Sequence, residues 1–279
     1  MRKNEFNGKL DMFMDHLREE EKSRLTIEKY QRDIRLFHTF LGGKPLDKQM
    51  VIAYKSELIE RYKPASVNSM LAALKSFFLF CGWTHLNVKS LKIQQSAFAA
   101  PEKDINRAEY NRLLAAAKSQ RNERLYLLMQ TICATGIRVS ELQFITMEAV
   151  KAGRADVASK GKRRPVFITT KLKNLLKAYA KQRGIESGSI FISRSGKPLS
   201  RHRIWADMKA LCKEANVEPS KVFPHNLRHL FAKSFYAIEK DLCKLADLLG
   251  HSSIDTTRIY TRECGREHLR LLRKIPLLI

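Results

Sequence analysis

Seven side chains in the second half of the chain have types and spacings that could do chemistry. Arg138 and Glu141 stand in Ala134-Thr135-Gly136-Ile137-Arg138-Val139-Ser140-Glu141-Leu142, and Lys160 stands in the basic run Ser159-Lys160-Gly161-Lys162. His225 and Arg228 share Pro224-His225-Asn226-Leu227-Arg228-His229, while His251 closes Leu248-Leu249-Gly250-His251, a short interval before Tyr260. Two guanidinium forks can hold the non-bridging oxygens of a phosphate, where negative charge builds up during transfer. His225 can hydrogen-bond the same group and help take a phenolic proton, and His251 can donate to a non-bridging oxygen. The Tyr260 oxygen can attack phosphorus, and Lys160 can protonate a departing oxygen. Glu141, three residues after Arg138 on an expected helix, could orient that guanidinium, or be an ordinary solvated carboxylate. Singly, each signal is weak. An arginine after Gly-Ile is usually a surface or capping residue, a lysine in a hairpin turn is normally solvated, and a tyrosine at helical spacing is more often half-buried structure. His229 reads as structural. His202 and Arg203, near a helix start, could touch phosphate or simply face water.

The elements that must position these groups follow from hydrophobic periodicity. Lys160 falls in the turn of an expected β-hairpin over 154–169, with Val157 and Ala158 before the basic run and Pro165-Val166-Phe167-Ile168 after it. Asn106 followed by Glu109 reads as a capping box that opens a helix with Tyr110, Leu113 and Leu114, and a long apolar helix runs from Leu125 to about Ala134. Leu172, Leu175, Leu176 and Tyr179 mark another helix, Ile190-Phe191-Ile192 is too brief to assign, and from Ser200 the pattern is again mostly helical. Ahead of this region lie four expected helices. They carry Leu10, Phe13, Met14 and Leu17; then Ile27, Tyr30, Ile34, Phe37 and Leu41, with Thr26 as cap and Gly42-Gly43 as stop; then Val51, Tyr54 and Leu58 from about Asp47; then Met70, Leu71, Leu74, Phe77, Phe78 and Cys81 between Pro64 and Gly82. Residues 88–104 show no sustained period. The expected organisation is therefore a helical domain over 1–87, a linker over 88–104 whose Lys89 and Lys92 could lie along a phosphate backbone, and a second domain over 105–279, mainly α with a small sheet.

Bulk properties narrow the partners. Of the 279 residues, 52 are Lys or Arg and 28 are Asp or Glu, a net charge of +24. Such an excess favours a polyanion through counterion release, and fits nucleic-acid binding better than a merely soluble basic protein. No stretch approaches the ~20 apolar residues of a membrane span, and the first residues lack the apolar core of a signal peptide. The five cysteines form no C-x-x-C pair, which fits reduced thiols and argues against a disulfide framework or a zinc site. A cytoplasmic protein is expected. There is no carboxylate cluster suited to a Mg²⁺ pair and no phosphate-binding Gly-rich loop, so neither metal nor cofactor is expected.

Taken together and in order, these residues resemble a known pattern. The second domain resembles the catalytic domain of the tyrosine recombinase (phage integrase) family over nearly its whole length. The resemblance is carried by Ala-Thr-Gly-Ile-Arg138-x-Ser-Glu141-Leu, the hairpin Lys160, His225-x-x-Arg228, Leu-Gly-His251 and Thr256-Thr257-Arg258-Ile259-Tyr260-Thr261. The helical first domain is similar to that family's core-binding domain, a SAM-like four-helix unit, though four amphipathic helices are a less specific signal. The resemblance implies a clamp of two domains around double-stranded DNA. It also implies a 3′-phosphotyrosyl link to Tyr260, a free 5′-hydroxyl, and religation without metal or ATP. It implies a homotetramer on two paired DNA sites, with the apolar tail from Leu269 to Ile279 docking into a neighbouring protomer. An extra arm-binding domain of the larger integrases is not expected. Two rivals remain: a type IB topoisomerase-like relaxation of DNA, and a DNA-binding protein that keeps the fold without the chemistry. Retention of all six catalytic groups speaks against the second, and the separate helical domain and apolar tail against the first. The plan is that of a compact mobile-element or Xer-like enzyme.

Overall fold

The computed structural model describes residues 3–93, 104–159, 162–193 and 195–260. The chain divides into two compact units, Met1–Gln95 and Ser96–Ile279.

The N-terminal unit is built from α1 (Lys3–Glu19), α2 (Arg24–Leu41), α3 (Lys48–Arg61) and α4 (Pro64–Phe80), followed by a 3₁₀ turn at Thr84–Leu86. Its helices begin and end where local chemistry demands. Asp47 accepts from the Met50 amide at 2.8 Å and opens α3, Pro64 occupies the first turn of α4, and Gly42 takes the left-handed conformation that stops α2. The expected cap Thr26 is corrected. Ser23 caps α2 by accepting from the Thr26 amide at 3.3 Å, so Thr26 already lies inside the first turn. The apolar faces meet in one core around Phe13, Phe37, Phe77 and Phe78, with Phe77 edge-on to Phe6, Phe13 and Trp83. Val88 and Leu91, in the stretch expected as linker, pack on this core, and Asn68 clamps Leu91 by bonding both its amide and its carbonyl, at 2.7 and 2.9 Å.

The second unit contains α5 (Arg107–Ser119), α6 (Glu123–Thr135), a 3₁₀ turn (Val139–Phe144), α7 (Met147–Ala152), β1 (Arg154–Ser159), β2 (Lys162–Phe167) and α8 (Thr170–Gln182). It continues through α9 (Arg201–Ala210), α10 (Cys212–Ala215), α11 (Pro224–Glu239), α12 (Leu242–Leu249) and α13 (Ile254–Arg258). The Asn106–Glu109 capping box is present, with both bonds at 2.9 Å. The two strands pair antiparallel, placing Val157 opposite Arg164 and Ala155 opposite Val166. The segment around Ile190–Ile192 forms only isolated bridges, Thr146 with Ser189 and Ile192 with Pro198. Leu128, Ile132, Ile145, Val157, Val166, Leu176, Met208 and Leu227 share one core, so the hairpin rests on the helices that bear the candidate site. No helix among the described residues is long and apolar enough to cross a membrane.

Candidate active site

The site assembles where two helices end and a third begins. α6 stops because Gly136 adopts a left-handed backbone, φ +64°, and a side chain there would collide with the Phe231 ring, 2.4 Å from a Cβ at that position. The chain then turns so that Arg138 precedes a 3₁₀ turn instead of continuing the expected regular helix around Glu141. α12 stops in the same way at Gly250, which presents His251. α11 opens with Pro224, so His225, Arg228 and His229 fall on one face of its first two turns.

At the centre lies Arg228, only 2% exposed. Its guanidinium donates to the Gly136 carbonyl at 2.5 Å and the Leu249 carbonyl at 2.7 Å, the C-terminal ends of α6 and α12, whose dipoles are negative there. It also donates to Nε2 of His251 at 3.1 Å, and the Tyr260 hydroxyl acts on its charge as an acceptor. Among the described residues no carboxylate pairs with it. Burial and then Arg138 pull its pKa down to about 10, so it remains a cation at neutral pH.

Around it stand the other candidates. The Arg138 guanidinium donates to Glu141 at 2.9 Å, and Glu141, 2% exposed, also accepts from the Arg138 amide at 3.0 Å. The carboxylate is thus a buried brace rather than a solvated group. An arginine can only donate, so Nε2 of His251 accepts and Nδ1 carries the proton toward Thr257 Oγ1, 2.9 Å away. Burial, then Arg228 and Arg138, hold the His251 pKa down to about 4. His225, though exposed, is also lowered to about 4, by desolvation first and then by His229, Arg228 and Arg138. Tyr260 is 3% exposed, its ring stacked 6.0 Å from His251 and edge-on to His229 at 4.7 Å. Arg138, His225, Arg228, His251 and Tyr260 therefore converge on one locus. Lys160 lies outside the described residues, between strand ends Ser159 and Lys162 that pair with each other.

Three residues lie at the site that the sequence reading did not place there. His229 is wedged between His225, at 4.6 Å between ring centroids, and Tyr260. Asp104, read as linker, lies 3.6 Å from His229 Nδ1 and pairs with Lys233; His229 first and Lys233 next lower its pKa to about 2. Arg164 donates to Glu141 at 2.6 Å. Its signal was the strand alternation, which puts it on the inward face of Val166, two residues on. By contrast Arg203 is spoken for by Asp207 at 2.8 Å, and His202 is exposed. A cavity of about 200 Å³ opens beside Arg138, Glu141, Arg164, Asp247, Gly250 and His251.

Comparison with known proteins bears on this arrangement. The model of the phage integrase family matches residues 103–265, and that of the phage integrase N-terminal SAM-like domain matches residues 10–85. Tyrosine recombinase XerC of Roseiflexus castenholzii is 31% identical over 91% of this chain and 88% of its own. The crystal structure of XerA recombinase aligns over 98% of this chain and 99% of its own, with TM-score 0.53 and 26% identity. A lambda integrase tetramer bound to a Holliday junction aligns over 93% of this chain and 79% of its own, with TM-score 0.72 at 20% identity, a likeness of fold.

Proposed function

The chain belongs to the phage integrase family, and from that premise we propose that its recombination chemistry runs through Tyr260 at the Arg228 locus. It is a site-specific tyrosine recombinase, which cleaves and rejoins DNA. The observation that carries the reading of the site is the isolated cation. Burying a charge costs several kcal/mol unless it is paired, and among the described residues Arg228 is held by carbonyls, a neutral histidine and the Tyr260 hydroxyl, with no carboxylate. An anion would pair this charge, and a scissile phosphate fits.

With phosphate between Arg228 and Arg138, the Tyr260 oxygen attacks phosphorus. One P–O bond forms to the tyrosine as the bond to the 5′ oxygen breaks, leaving a 3′-phosphotyrosine. The phenolic proton passes toward His225, whose ring is neutral and becomes more basic once the phosphate anion offsets the neighbouring cations, and Lys160 supplies a proton to the departing 5′ oxygen. As Arg228 turns to the phosphate, His251 is released from its acceptor role; with its proton moved from Nδ1 to Nε2 and the Thr257 hydroxyl donating to Nδ1 in its place, the ring can donate to a non-bridging oxygen. Religation reverses the same steps, and the phosphotyrosine conserves the bond energy. The substrate is double-stranded DNA, and the working form a tetramer on two paired sites, supported by the lambda integrase assembly. The tail 268–279, which lies outside the described residues, docks in trans; deleting it abolishes strand exchange between paired sites, and intact exchange would refute the docking.

Covalent trapping tests the chemistry. Nicked duplexes from DNA flanking the gene are incubated with the protein, and a denaturant-resistant adduct is expected with EDTA present and absent from Tyr260→Phe. An adduct that survives in that variant would overturn the assignment of the nucleophile.

A further inference from the structure

Arg164 touches the site from the hairpin, and three contacts give it an unusual setting. Its guanidinium donates to Glu141 at 2.6 Å and to the Leu248 carbonyl at 3.3 Å, while Glu141 holds Arg138 with its other oxygen at 2.9 Å. One buried carboxylate thus spans two arginines. The Arg164 side chain is 11% exposed and its Nε is buried without a partner. The stem of Arg164 lies flat on Gly250: a Cβ there would sit 2.3 Å from its Cδ and 2.6 Å from its Nε. Gly250 is therefore required both for its left-handed backbone, φ +65°, and to let this side chain pass. Burying a second cation beside Arg138 would repel it, and only the shared carboxylate offsets that. Such an arrangement serves to fix geometry.

We propose that Arg164 is a positioning residue that sets the Arg138 guanidinium through Glu141 and locks strand β2 against the Gly250–His251 turn. The inference rests on the phosphate-binding role of Arg138 given above and adds the group that aims it. The β1–β2 hairpin is tied by the same side chain to the end of α12, through the Leu248 carbonyl at 3.3 Å, so Arg164 links the strand pair to the turn that presents His251. Glu141 alone does not suffice: one oxygen meets both the Arg138 amide and Arg164, the other meets the Arg138 guanidinium, and loss of Arg164 leaves the carboxylate braced from the Arg138 side only, with nothing tying it to β2. Misplacement of a catalytic group by about 1 Å costs about 100-fold in rate.

The test is single-turnover cleavage of a nicked duplex bearing either a normal phosphate or a methylphosphonate at the scissile position. The methylphosphonate is neutral and needs less cationic neutralisation. Arg164→Gln is expected to bind DNA as the wild type does, to cleave the phosphate about 100-fold more slowly, and to recover most of that deficit on the methylphosphonate. Arg164→Lys, which keeps a cation opposite Glu141, is expected to fall between the two and carries the comparison if the glutamine variant does not fold. An equal deficit on both substrates, or none, overturns the proposal, since a loss unrelated to Arg138 would not depend on phosphate charge. If the wild type forms no Tyr260 adduct at all, the reading of the site fails first and this inference falls with it.

Discussion

The two units each neutralise their buried carboxylates, but only the second also buries a cation with no carboxylate beside it among the described residues. Among the described residues of the N-terminal unit, the one buried charged side chain is Asp33, and Lys29 pairs with it while also donating to the Ser69 carbonyl, so the charge is neutralised and tied to α4. Everything else at its centre is aromatic or aliphatic. The second unit buries Glu141 under two arginines and Arg228 under none but carbonyls, a histidine and a hydroxyl. One unit's core serves stability. On the proposed reading, the other gives up stability to hold a cation ready for an anion that arrives with the substrate, as is common where activity needs a strained site.

The largest expected effect falls on the first side of this contrast. Phe77 is fully buried among four aromatic rings, and Phe77→Ala should cost about 3–5 kcal/mol, read as a lowered urea midpoint for the N-terminal unit. An unchanged midpoint would mean that this core is not what holds the unit together. A different result is expected at the second site. Arg228→Met fills nearly the same volume without the charge; relief of the buried ion's desolvation opposes the loss of its hydrogen bonds to the Gly136 and Leu249 carbonyls, so the melting temperature should change little. The same variant should slow cleavage about 100- to 1000-fold, the usual loss on removing a group that stabilises developing charge. If Arg228→Met unfolds the protein as Phe77→Ala does, Arg228 is structural and the contrast between the units collapses.

What could be read from the sequence divides along similar lines. Apolar periodicity gave the four N-terminal helices, because burial of one face is a local pattern, and the capping box at Asn106 is likewise contained in four residues. Arg138, His225, Arg228, His251 and Tyr260 were legible because chemistry restricts their types, and the structure gathers them. Arg164 was not singled out because it stands in the run Lys162-Arg163-Arg164, where its neighbour Arg163 is exposed and only the strand register tells the inward arginine from the outward one. Asp104 was assigned to a linker because its partners, His229 and Lys233, lie more than a hundred residues away. Long-range ion pairs leave no periodic trace. The shift from Thr26 to Ser23 as cap is of another kind: both hydroxyls suit the role, and the difference of three residues depends on where the turn before α2 releases the chain.

The smallest expected effect is a pH dependence confined to the second unit. His251 is depressed to about 4 by burial first and by the guanidinium of Arg228 next. In the unfolded chain it titrates near 6.5, so between about 6.5 and 4 the unfolded state binds a proton that the folded state refuses. Stability therefore rises with pH across that window and falls on acidification through it. Partial exposure and salt screening keep the change modest. In Arg228→Met one of the repelling charges is gone, so the His251 ring should titrate measurably higher, and the acid-induced loss should shrink. Following the imidazole resonance of His251 by NMR in both proteins reads this directly. A wild-type ring that already titrates near 6.5 would show that the cation is well compensated without DNA, and the contrast with the neutralised Asp33 would then lose its physical basis.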